Sequence, residues 1–106
     1  MELKIYWTDF SKQELKEILN NYKQKVNITV AQNLVLGITD EVKILKNQPE
    51  IGQVEVLLEN DNREFRYLLY RNNYKIIYWL NVGQNRIEIF DVFDTRQNPV
   101  IIYRNK

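Results

Sequence analysis

Phe65-Arg66-Tyr67-Leu68-Leu69-Tyr70 and Tyr74-Lys75-Ile76-Ile77-Tyr78-Trp79 are two runs of aromatic and aliphatic side chains separated by a polar gap. Such runs around a short Asn-containing gap predict a β-hairpin. Asn tolerates positive φ, so Asn72-Asn73 predicts a two-residue type I′ turn between Arg71 and Tyr74. That turn opposes Tyr70 to Lys75, Leu68 to Ile77 and Arg66 to Trp79. Strand side chains alternate, so one face carries Arg66, Leu68, Tyr70, Lys75, Ile77 and Trp79. The other carries Phe65, Tyr67, Leu69, Ile76, Tyr78 and Leu80. The second set is expected to form the core, and the first to hold two cations among aromatics on an exposed surface.

Outward from the hairpin, Val82-Gly83-Gln84-Asn85 is a turn. The strand Arg86 to Phe93 is apolar on both faces, which suits a position inside the sheet. Asp94 to Pro99 leaves the sheet, and Val100 to Tyr103 is read as a last extended piece. Upstream, Leu3 to Trp7 is read as a strand. Thr8 or Asp9 then caps a helix with Leu15, Ile18, Leu19, Tyr22 and Val26 on one face. Asn27 caps a second helix striped by Ala31, Leu34, Val35, Ile38, Val42 and Leu45. It must stop before Pro49. Gly52 is able to take positive φ in the loop that follows, Gln53 to Leu58 is a strand or an extended approach, and Glu59 to Arg63 is a turn. The order β-α-α-β-β-β predicts an α+β fold, with an α-helical hairpin on one face of an antiparallel sheet.

The chain has 106 residues, which suits a single domain over 1–106. It contains no cysteine and no histidine. Disulfides, thiolate and imidazole metal sites, and catalysis by Cys or His are therefore excluded. No apolar run is long enough to span a membrane, and the N-terminus lacks a signal-peptide layout, so no membrane partner and a cytoplasmic location are expected. The net charge is +1, but 7 basic and 10 acidic residues lie in 1–62, against 8 basic and 4 acidic in 63–106. A basic C-terminal half suits an anionic partner. The overall charge is weak for a protein that grips nucleic acid through many phosphates.

The candidate functional residues are Arg66, Lys75 and Arg96, read as one basic patch on the sheet face away from the helices. Tyr70, Trp79 and Asp94 are weaker candidates. Tyr70 shares a face with Lys75, Trp79 is placed to stack on Arg66, and Asp94 to pair with Arg96. Each is equally readable as packing or as a solvated charge. The three glycines stand too far apart for a phosphate loop, and no carboxylate spacing favours a metal, so no cofactor and no metal are expected.

Taken in order, the capped helical hairpin, Leu45 … Pro49 … Gly52, Phe65-Arg66-Tyr67 … Tyr74-Lys75-Ile76-Ile77-Tyr78 and Val92-Phe93-Asp94-Thr95-Arg96-Gln97 resemble the RelE/ParE superfamily of bacterial type II toxins. The resemblance runs from about Leu3 to Pro99. It implies a plasmid-stabilisation type toxin whose growth inhibition is neutralised by a cognate antitoxin wrapping it as helix or strand. RelE-like members cleave messenger RNA on the ribosome without a metal, whereas ParE-like members poison DNA gyrase. The superfamily's basic strand residue falls on Lys75, a nuclease lysine on Arg66, and the late arginine on Arg96. A second nuclease lysine falls on Leu68. The nuclease tyrosine has no match, since Tyr103 lies beyond Pro99, and Asp94 stands where many relatives carry His. RNA cleavage needs a base, and a tyrosine titrating near pKa ~10 is a poor one at neutral pH. The ParE-like branch, binding a protein such as gyrase, is therefore the preferred reading. The alternatives are a ribosome-dependent mRNA endoribonuclease and a nontoxic interaction module.

Overall fold

The computed structural model describes residues 2–105. Strand β1 is Lys4–Trp7, followed by helices α1 (Asp9–Lys25) and α2 (Ile28–Glu41). Both expected caps are in place. Thr8 Oγ1 accepts the Ser11 N–H at 3.1 Å, and Asn27 Oδ1 accepts the Val30 N–H at 2.9 Å. Each satisfies an N–H that the first helical turn cannot bond internally. A 3-10 turn, Val42–Lys46, continues α2 and ends before Pro49. Then come β2 (Gln53–Val54), a 3-10 turn (Val56–Leu58), β3 (Arg66–Tyr70), β4 (Tyr74–Asn81) and β5 (Arg86–Asp94). The stretch 53–58, expected as a strand or an extended approach, is thus two residues of strand followed by a 3-10 turn. The expected extended piece at 100–103 is instead a 3-10 segment, Pro99–Asn105.

The sheet order is β1-β5-β4-β3-β2. Strands β2 to β5 are antiparallel, but β1 lies parallel to β5, so the sheet is mixed rather than wholly antiparallel. The reason is connectivity. Hairpin turns force antiparallel neighbours, and no turn joins β1 to β5. As its two apolar faces predict, β5 sits inside the sheet.

The hairpin differs from expectation by one residue. Tyr70 pairs with Tyr74, Leu68 with Ile76 and Arg66 with Tyr78. The loop has three residues, Arg71, Asn72 and Asn73, with Arg71 and Asn72 at φ 52° and 58°. The end of β5 grips it, since Thr95 donates from its N–H to Asn73 O at 2.8 Å and from its hydroxyl to Asn72 O at 3.0 Å. A one-residue slip exchanges the faces of one strand relative to the other. On β4 the expected core side chains Ile76, Tyr78 and Leu80 do meet the helices. On β3 the helix-facing residues are Leu68 and Tyr70, not Phe65, Tyr67 and Leu69. Phe65 and Tyr67 belong to a second core on the opposite face, with Leu58, Ile77, Phe90, Phe93 and Ile102. Both faces of the sheet are therefore covered, one by the helices and one by irregular chain.

Gly52 does not take positive φ. What it supplies is room. A Cβ there would sit 2.5 Å from the Tyr78 hydroxyl and 2.8 Å from the Tyr67 carbonyl oxygen. The Tyr78 hydroxyl accepts from Gly52 N–H at 3.0 Å and donates to Pro49 O at 2.8 Å, which closes the loop over the core. Tyr78→Phe leaves both backbone groups without their partner, and Gly52→Ala forces the loop off the strand. Each is expected to lower the unfolding free energy by about 1–3 kcal/mol. Urea unfolding measures it, and unchanged midpoints would remove this contact from the stability of the fold.

Candidate functional site

The register decides where the charged candidates go. Arg66 lies opposite Tyr78 on the helix side, at the sheet margin, while Lys75 lies opposite Leu69 and points to the other face. The two are not brought together. Arg66 donates from Nη1 to Gly52 O at 2.9 Å and pairs through Nη2 with Glu64 at 3.1 Å. It buttresses the loop that Tyr78 closes. Lys75 Nζ is 2.8 Å from Glu55 Oε1 and 4.4 Å from the centroid of the Tyr67 ring. Glu55 is only 1% exposed, and its other oxygen accepts the Leu57 N–H. A carboxylate buried that deeply requires a partner, and Lys75 is its counter-ion.

Arg96 stands apart from both. Its Nε and Nη2 each donate to Asp94 at 2.9 Å in a fork, and its side chain remains 55% exposed. The expected pairing of Asp94 with Arg96 is thus present. Burial works to raise the Asp94 carboxyl, but the Arg96 guanidinium and backbone N–H outweigh it and hold the group below the usual carboxylate range. The Tyr74 side chain first, and then that of Arg96, draw the Tyr22 hydroxyl below the ordinary phenol value against the effect of its burial. Tyr74 is raised, chiefly by burial and then by its bond to Tyr22. Asp94 and Tyr74 line a cleft of about 210 Å³ against α1, with Glu17, Ile18, Asn21 and Gln97 among its walls.

The two weaker aromatic candidates are packed. Tyr70 lies against Gly37 of α2, where a Cβ would fall within 1.9 Å of its hydroxyl. Trp79 is on the face opposite the helices, and the cation over its ring is Arg63 at 5.7 Å, not Arg66. Arg63 also covers Phe65 at 4.7 Å and pairs with Asp61 at 2.8 Å. Among the described residues no group of His, Cys, Asp and Glu could hold a metal ion.

One network escaped the sequence reading. Strand β1 pairs with β5 only as far as Ile89. Beyond it, Arg104 from the C-terminal segment bridges Asp91 of β5 at 3.0 Å and Glu14 of α1 at 2.7 Å. Asp91 is fully buried, and its Oδ2 has no hydrogen-bond partner among the described residues. Burial pushes its carboxyl up to about 7 against the pull of Arg104. The signal was available, since a charge set among Phe90, Val92 and Phe93 in a strand inside the sheet must be paired. Its partner, 13 positions away, was not legible.

Comparisons with known proteins place this geometry. The family model described as ParE toxin of type II toxin-antitoxin system, parDE, matches residues 5–99. No curated protein sequence matches significantly. Among solved structures, a chain of the chromosomal ParDE TA system from P. aeruginosa superposes with a TM-score of 0.72. The two are 19% identical, and the alignment covers 88% of this chain and 96% of that one. At that identity the match shows a shared fold.

Asp91 generates a pH prediction. Its folded value of about 7 lies above the ordinary 3.8, so the native state retains a proton that the unfolded chain releases. The stability this contributes is fully present below about pH 4 and is lost as pH rises through about 7. No histidine titrates in that window. The melting temperature is expected to fall from pH 5 to 7.5 in the native chain and to be nearly flat in Asp91→Asn. Parallel curves for the two proteins would remove Asp91 as the cause.

Proposed function

The chain belongs to the ParE toxin family of type II toxin–antitoxin systems, and on that premise we propose that it is a cytoplasmic toxin that stops growth by binding a protein target, with DNA gyrase as that target. A cognate antitoxin holds it inactive. The observation that carries this reading is the separation of Arg66 and Lys75 onto opposite faces, each already neutralised by a carboxylate.

Cleavage of RNA at its 2′-hydroxyl needs a base, an acid and cations converging on one phosphate. Lys75 serves Glu55, Arg66 serves the loop at Gly52, and Leu68 packs beneath the helices. These placements favour binding over cleavage. No helix among the described residues is long and apolar enough to cross a membrane. Of the three basic candidates, Arg96 has the exposure and rigid orientation that a contact across an interface requires. Its fork to Asp94 fixes the guanidinium while leaving more than half of the side chain accessible.

Purified protein is expected to inhibit supercoiling by gyrase or to trap gyrase–DNA cleavage complexes. Translated messages probed by primer extension are expected to show no toxin-dependent cuts. Discrete cuts near start codons would instead establish the ribosome-dependent nuclease. Silence in both assays, with growth unaffected on induction, would establish a nontoxic interaction module.

Arg96→Ala separates the contact from the fold. An exposed ion pair contributes only about 0–1 kcal/mol, so the melting temperature is expected to hold. Truncating a charged contact in a desolvated interface costs about 2–5 kcal/mol, so growth inhibition on induction is expected to be lost. A folded Arg96→Ala protein that still arrests growth would remove Arg96 from the target surface.

A further inference from the structure

Residues Arg96 to Ile101 are all exposed, and burial returns at Ile102, which is fully enclosed. The 3-10 segment that carries it, Pro99–Asn105, begins where the family match ends. Hydrogen bonds shape the segment from within. Ile101 N–H donates to Asn98 O at 3.0 Å, and Arg104 Nη1 donates to Ile101 O at 2.9 Å. Ile102 and Arg104 fasten it to the body. Ile102 packs with Leu58, Phe90 and Phe93 in the second core. The Arg104 guanidinium lies 5.0 Å from the centre of the Phe10 ring and 5.7 Å from that of Phe93. One of its nitrogens, Nη2, serves both Glu14 and Asp91.

We propose that Pro99–Asn105 is a detachable strap closed over Asp91, and that loss of the Asp91 proton opens it. Asp91 lies on β5 just past Ile89, where the cover of β1 ends, and the strap takes over that cover. The charged groups facing Asp91 are Arg104 from the strap and Glu14 from α1, while its neighbour on β4 is the uncharged Ile77. Under the closed strap an ionised Asp91 is a buried anion. It shares its guanidinium with a second carboxylate, and its Oδ2 has no hydrogen-bond partner among the described residues. A neutral carboxyl is far cheaper to enclose. With the strap lifted, water solvates both oxygens and Asp91 titrates as an ordinary carboxylate. The closed form therefore holds a proton that the open form releases, and burial setting the closed value at about 7 agrees with this. Opening is favoured by rising pH, about tenfold per pH unit between about 4 and 7, and levels off above. The exposed run Arg96 to Ile101 supplies the hinge. Segments held by so few buried side chains open before the sheet does. The Asp94–Arg96 fork lies ahead of the strap, so the device is independent of the target proposed above.

Methyl relaxation dispersion on the full chain, labelled at isoleucine, tests this between pH 5 and 8. The Ile102 methyl, shifted by the neighbouring rings when closed, is expected to exchange with an open form whose population rises about 100-fold over that range. Ile76 and Ile87, beneath the helices, are expected to stay unchanged. In Asp91→Asn, neutral at every pH, the open population is expected to be constant. Ile102→Ala removes the apolar anchor. It is expected to free the strap while the sheet signals persist, and the Asp91 side-chain carbon is then expected to titrate well below 7. An Ile102 signal indifferent to pH in the native chain overturns the proposal, as does the same pH response in Asp91→Asn. An Ile102→Ala chain that loses its sheet together with the strap, or keeps the native Asp91 titration, also overturns it.

Discussion

Arg71 and Asn72 both hold left-handed backbone, and with Asn73 they reverse the chain between Tyr70 and Tyr74. The loop length sets the parity of the hairpin, and parity sets which side chains meet the helices. With three residues in the loop, Leu68 and Tyr70 join Ile76 and Tyr78 under the helical hairpin. Phe65 and Tyr67 then join Ile77 and Trp79 on the other side. The same parity sends Arg66 and Lys75 to opposite faces. Packing at Gly37, where the Tyr70 ring fits only because no side chain is present, secures the choice from the α2 side.

Once the cations are apart, the surrounding chain uses each of them locally. Lys75 permits Glu55 to be buried at the start of the Val56–Leu58 turn, and that turn in turn presents Leu58 to the second core. Arg66 ties the carbonyls before β2 to Glu64. Arg104 performs the same service for Asp91 at the place where β1 stops covering β5. In a domain of this size, three charged side chains hold irregular segments against the sheet that regular hydrogen bonding does not reach. Two of the three residues read as one basic patch, Arg66 and Lys75, are in this way taken up by architecture.

Much of this was legible from the residues. Thr8 and Asn27 marked their helix starts because their side-chain oxygens are placed to accept early N–H groups. Two apolar faces marked β5 as a strand inside the sheet. The order of elements held, and the resemblance to the RelE/ParE superfamily was met by a ParE toxin family match over residues 5–99. The errors about the hairpin and its charged residues had one physical origin. A gap of Asn72-Asn73 fits a two-residue turn by local preference alone, and only the tertiary contacts from Thr95 and Gly37 favour three residues. From that slip followed the misplaced face of β3 and the supposed meeting of Arg66 with Lys75. The parallel pairing of β1, the Glu55–Lys75 pair and the Arg104 bridge all join residues distant in sequence, and local pattern carries no record of them.

The central claim is that Lys75 is consumed by the fold, and a double-mutant cycle on Glu55 and Lys75 tests it most directly. Glu55→Gln and Lys75→Met, singly and together, would be compared by equilibrium unfolding. Coupling of at least about 1 kcal/mol is expected, with the double variant more stable than the sum of the single losses implies. Losses that add to within about 0.5 kcal/mol would contradict the claim, because they would mean that Lys75 is free of Glu55 in solution and available to a target.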